Sequence, residues 1–122
     1  MLLAEGVQFW RPTMIDETVV ELLHGLKSAT GANRIRWENL PDEEMFRTTL
    51  PDGLIRIGET STDDEKAYTL WIMDDMSFIV DVVTIHSDDP QFPLMELVYR
   101  LARLAARNGK SVMQRMVKTL AG

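Results

Sequence analysis

The sequence predicts an α+β fold: a two-layer sandwich with an N-terminal helix, a four- or five-stranded antiparallel meander sheet, and two C-terminal helices on one face. Three observations lead there. Apolar positions recur with a helical period only near the two ends of the chain. Between them lie short alternating or β-branched runs, bounded by polar turn clusters. Those clusters are too short to hold a crossover, so successive strands must be antiparallel neighbours. The chain has 122 residues and neither repeats nor a linker, which suits one domain over residues 14–122. Residues 1–13 carry Phe9, Trp10 and Pro12 without helical or strand period and are read as an N-terminal arm or extension.

Ile15, Val19, Leu22, Leu23 and Leu26 form one helical stripe. Thr13 is the expected N-cap, Asp16 and Glu17 suit the first turn, and Gly31 is the expected stop after an end near Ala29. "RIRWENL" (34–40) alternates and leads into the sheet, and "PDEE" (41–44) turns the chain. "MFRTTL" (45–50) and "LIRIGET" (54–60) flank "PDG" (51–53), a turn in which proline sets φ, aspartate bonds locally and glycine should take positive φ, so the two runs should form a hairpin. "AYTLWIM" (67–73) puts Tyr68, Leu70 and Ile72 on one face and Thr69, Trp71 and Met73 on the other. "FIVDVVTI" (78–85) is almost continuously apolar, which suits a central strand. After "HSDDPQFP" (86–93) the helical period returns with Leu94, Leu97, Val98, Leu101, Leu104 and Ala105. Asn108-Gly109 breaks that helix, and Val112, Met113, Met116, Val117 and Leu120 should face inward from a second one.

Composition narrows the function. The chain has no cysteine, which excludes disulfides, thiolate nucleophiles and thiolate zinc sites and fits a reducing cytoplasm. No apolar run approaches the roughly 20 residues of a membrane span, and the N-terminus lacks the pattern of a signal peptide. The net charge of −6 is unevenly spread: residues 94–122 hold six basic residues and one acid, a net of +5, against −11 for the rest. The two parts either attract each other within the fold or present a basic patch to an acidic partner.

The runs "LKSATGANRIRW", "FRTTLPDGLIRI", "AYTLWIMDD" and "LMELVYRLARLAA", followed by an amphipathic C-terminal helix, carry a resemblance. The chain resembles a loose group of small uncharacterised bacterial α+β domains, with a threonine–glycine then tryptophan lead-in, alternating strands and an LxxLYxxAR-like helix. The likeness spans residues 15–120. A glycine usual in the turn before the last strand is replaced here by Met76 or Ser77. The group has no established activity, so the resemblance implies the fold and a bacterial cytoplasmic setting but no site.

Few residues invite chemistry. His86 with Asp88 and Asp89 could begin a metal or acid–base site, but it needs a further ligand, and His24 is the only other histidine. Asp and Pro in "SDDP" also suit a connection from strand to helix. The acidic clusters at 63–65, 74–75 and 88–89 fall between elements and lack the spacing of a calcium loop. There is no nucleophile elbow, phosphate loop or dinucleotide fingerprint. Two surfaces remain. Trp71 and Met73, with Arg56, should form a patch on the open sheet face. Arg100, Arg103 and Arg107 recur at spacings of three and four and share a helix face, where Glu96 would pair with Arg100.

The sequence therefore points to a non-catalytic protein–protein interaction module: an adaptor, an immunity- or antitoxin-like partner, or an accessory subunit. Its partner would be another protein or a second copy of the chain, met through Trp71, Met73, Arg56, Arg100, Arg103 and Arg107. No cofactor, membrane or small-molecule substrate is implied. The alternatives are nucleic-acid binding through the basic C-terminal helices, which the acidic net charge disfavours, and a small metal-dependent hydrolase using His86 with Asp88 or Asp89.

Overall fold

The computed structural model describes residues 16–41 and 44–122. Helix α1 (Glu17–Gly31) is followed by strands β1 (Trp37–Asn39), β2 (Met45–Leu50), β3 (Gly53–Glu59), β4 (Ala67–Asp74) and β5 (Ile79–His86). Helices α2 (Phe92–Ala106) and α3 (Gly109–Ala121) close the chain. The sheet is an antiparallel meander in the order β1-β2-β3-β4-β5. The expected α+β fold, with five strands, is what forms. The proposed arm and residues 42 and 43 of the expected turn lie outside the described residues, and the cap of α1 is Asp16 rather than the expected Thr13, because the helix begins only at Glu17.

Local chemistry accounts for the ends of the elements. Asp16 caps α1, its carboxylate accepting the Thr18 N–H at 2.7 Å. The chain leaves α1 through Asn33, at φ 58°, two residues beyond the glycine expected to stop the helix. Asparagine tolerates this left-handed conformation because its short polar side chain can bond locally. Between β2 and β3, Leu50 pairs with Gly53 across Pro51-Asp52, so "PDG" is the tight hairpin its residues require. Gly53 does not take the positive φ expected of it in this turn; it is required instead because a Cβ there would collide with the backbone carbonyl of Met73 on β4.

The core lies between one sheet face and the helices. Phe46, Ile57, Leu70 and Ile85 from the sheet are fully buried against Leu23 of α1 and Met95, Val98 and Tyr99 of α2. Tyr99 is the hub, with ring centroids 5.5 Å from Phe46 and 4.8 Å from Tyr68. Each such burial contributes about 1.5–3 kcal/mol. Two polar groups buried in this layer find partners: Trp37 Nε1 donates to Thr30 Oγ1 at 2.9 Å, and Thr48 Oγ1 donates to the Arg36 carbonyl at 2.7 Å.

Three expectations are corrected. β5 is an edge strand, not a central one, and its apolar run is largely exposed. α2 is rotated from the expected stripe: Met95, Tyr99 and Ala102 are buried beside Val98, while Leu104 and Ala105 face solvent. Leucine spacing missed this because Tyr99 and Met95 carry the deepest contacts. Among the described elements α3 packs only on α2, and it buries none of its residues, so Met113, Met116, Val117 and Leu120 point outward rather than inward.

Candidate interaction surfaces

The connection after β5 is a turn built by its own side chains. Asp89 is buried, its Oδ1 accepts the Gln91 N–H at 2.8 Å, and its N–H donates to the His86 carbonyl at 2.9 Å. His86 Nδ1 lies 3.0 Å from Glu65 Oε1, too poorly aligned for a hydrogen bond, so the contact matters only when the ring is protonated. Among the described residues no group of three or more histidines and carboxylates is arranged to hold a metal ion, and His24 is exposed on α1.

The open sheet face differs from its expectation. Cross-strand pairing sets Arg56 beside Trp71 and Leu54 beside Met73. Met73, however, is only 7% exposed, so no exposed Trp–Met patch exists. What remains is a half-buried Trp71 with the Arg56 guanidinium 5.9 Å from its ring centroid, a cation–π contact. Arg56 Nε is buried and has no hydrogen-bond partner among the described residues. Beside this pair, the hydroxyls of Thr60, Thr69 and Thr84 form a chain across β4, with links of 2.9 and 2.8 Å.

The basic helix face is only partly free. Arg107 donates to Asn39 Oδ1 at 3.0 Å, reaches Glu44 at 3.4 Å, and lies over the Phe46 ring. It pins the end of α2 to the β1–β2 side of the sheet. Arg103 lies over Tyr99, 5.5 Å from the centroid. Arg100 is exposed. Glu96 does not pair with it. The carboxylate instead takes Lys66 and the Tyr68 hydroxyl, both at 3.2 Å, at the other end of α2. The hydrogen bond to Glu96 raises the pKa of Lys66. Burial raises that of Tyr68, and also that of Tyr99, whose hydroxyl lies beside Glu44.

The sequence reading missed three surfaces. One is an open groove of about 770 Å³ between the end of α1, residues 34–37 and the α2–α3 junction. Arg34, Arg36 and Lys110 line it, and among the described residues no carboxylate does. The second is the apolar margin of β5, where Met76, Phe78, Ile79, Val80 and Val82 are all exposed, Phe78 to 65%. The third is the outward stripe of α3, exposed to 86% at Leu120. Both apolar surfaces are visible in the sequence as runs. What the sequence lacks is any sign that no other element covers them.

No family model matches the chain, and neither a curated protein nor a solved structure does. Any functional reading therefore rests on these surfaces. No described helix is long and apolar enough to cross a membrane.

Proposed function

We propose that the chain is a protein-binding module of the bacterial cytoplasm that acts by contact rather than by chemistry. The observation that carries this reading is the pair of exposed apolar surfaces on β5 and α3. Scattered exposed apolar residues are ordinary, but contiguous ones mark interaction sites. The anchors differ from those the sequence suggested. Arg103 and Arg107 serve the fold, whereas Phe78, Val80, Val82, Met116 and Leu120 are free to enter a partner. Trp71 and Arg56 remain candidates on the open face. The cytoplasmic setting is supported by the absence of cysteine.

Capture from lysate of the native host, read by mass spectrometry, tests the module. Proteins retained by the wild-type chain and lost with Met116→Glu/Leu120→Glu or with Val80→Glu/Val82→Glu support it. Retention of every partner by both variants removes it.

The acid-free groove favours a second reading, an acidic ligand such as nucleic acid held by Arg34, Arg36 and Lys110. Here oligonucleotide affinity would fall steeply with salt and fall again in Arg34→Ala/Arg36→Ala. No shift at low salt ends that reading.

A further inference from the structure

The two apolar surfaces are complementary to each other. α3 is a basic amphipathic helix: Lys110, Arg115 and Lys118 accompany its exposed stripe, and the helix has no acid. From Asp74 to Ile85 the chain has the opposite character, with Asp74, Asp75 and Asp81 around the exposed apolar residues and no base. Among the described residues, no carboxylate forms an ion pair with the three cations of α3. The two surfaces also match in length. The 13 residues of α3 span about 20 Å and the eight of β5 about 26 Å.

They cannot meet within one chain as it is folded. Arg107 fastens the end of α2 to Asn39 on β1 and to Glu44, so α3 departs from the β1 side. β5 lies at the opposite edge of the five-stranded sheet, about 19 Å away at the usual strand spacing. Among the described elements, α3 packs on α2 alone. A second copy removes this constraint.

We propose that the occupant of each surface is the other surface on a second copy of the chain: α3 of one protomer docks along the apolar margin of β5 of its partner, and the exchange is reciprocal. This rests on the protein-binding reading above and names the partner. A reciprocal pair is closed by a two-fold axis and makes the contact twice for one loss of translational freedom. Simple strand addition between two β5 edges is disfavoured. The Ile72/Met73 register shift disturbs β5, and Asp81 Oδ1 accepts the Val82 N–H at 2.9 Å. Both spoil the flat, regular edge that strand addition uses, and two Asp81 carboxylates would approach each other.

Sedimentation velocity on the full chain, with two variants and their mixture, tests this. Wild type should be a dimer at micromolar concentration, weakened roughly tenfold between low and high salt because unlike charges attract across the contact. Met116→Glu/Leu120→Glu and Val80→Glu/Val82→Glu should each weaken it by about 100-fold or more. All four positions are exposed, so both variants should keep the wild-type circular dichroism; the corresponding serine pairs serve if either does not. Mixing the two variants should give a heterodimer weaker than the wild-type dimer but stronger than either variant alone, because one of its two contacts joins the intact β5 of one variant to the intact α3 of the other. A wild-type monomer at 100-fold higher concentration overturns the proposal. So does a helix variant that still dimerises, which would mean edge-to-edge pairing, or a strand variant that does, which would mean helix-to-helix pairing. A monomer that binds phosphatidylserine vesicles through α3 would assign that helix to lipid instead. Host proteins captured by a monomeric wild type, and lost with either variant, would leave the module standing while this dimer fell.

Discussion

α2 and α3 are adjacent in the chain, similar in length and similarly amphipathic, yet they do opposite work. α2 crosses all five strands and buries Met95, Val98, Tyr99 and Ala102. α3, among the described elements, touches one helix, and none of its own residues is buried. The difference lies less in their periodicity than in what Arg107 and Asn108 do between them. Arg107 ties the end of α2 to the sheet, and Asn108, at φ 52°, turns the chain away from it. An amphipathic period thus shows that a helix has a face to bury and leaves open what it buries it against.

The largest test of this contrast truncates one apolar side chain in each helix. Tyr99→Ala should cost about 3–5 kcal/mol, since it empties the centre of a cluster with Phe46 and Tyr68. Leu120→Ala should change the stability of the monomer by no more than about 0.5 kcal/mol. Urea unfolding at low protein concentration measures both, so that any association through α3 does not enter. Equal effects would mean that α3 is a working part of the monomer's core.

Alkaline titration separates the same two regions by a different route. Burial raises the pKa values of Tyr68 and Tyr99 above their ordinary 10.0, and both side chains belong to the α2–sheet layer. Lys66, beside Glu96 at the start of α2, is raised above 10.5. For all three groups the folded state holds its proton more tightly than the unfolded state does. Stability is then unaffected below about pH 10 and falls as pH rises beyond it. Tyrosinate absorbance should appear together with loss of the fold rather than before it. Tyr99→Phe should flatten the fall, while charge changes on α3 leave its pH range unmoved.

How much of this was legible follows the same line. Alternation, β-branching and the "PDG" turn located four hairpin-linked strands, because strand faces and turns are local consequences of residue type. "SDDP" is the connection from strand to helix that its residue types suit, since the Asp89 carboxylate accepts the nearby Gln91 N–H and needs no distant partner. What failed was non-local. The run at 78–85 is as apolar as a central strand, but strand order depends on whether anything follows on its far side, and among the described residues no strand does. Arg103 and Arg107 looked free on a helix face. Whether aromatic rings and Glu44 would come to meet them depended on the rotation of α2, which Tyr99 set. Met73 looked exposed by alternation, and it is buried.

The smallest effects come from the two left-handed residues that direct the exposed surfaces, Ser77 before β5 and Asn108 before α3. Ser77 holds φ 67° in a turn where Asp74 Oδ1 accepts the N–H groups of Met76 and Phe78. A serine Cβ is strained there, and its side chain does little to offset that, so Ser77→Gly should stabilise the protein by about 0.5–1 kcal/mol. Asn108 is the better fit to its φ of 52°, because asparagine enters this region at little cost. Asn108→Gly should therefore shift stability by only a few tenths of a kcal/mol, relief of strain being offset by the greater freedom of glycine in the unfolded chain. The next residue is less forgiving: a Cβ on Gly109 would stand 2.6 Å from Leu104 Cδ2. Gly109→Ala should thus re-aim α3 by pushing Leu104 aside, with a stability change below about 1 kcal/mol because Leu104 is exposed and can move. If α3 docks on a second copy, that variant should weaken the dimer more than it weakens the fold. Sedimentation and urea melts on the same sample measure the two effects separately, and a fold weakened as much as the dimer would place the α2–α3 junction in the core.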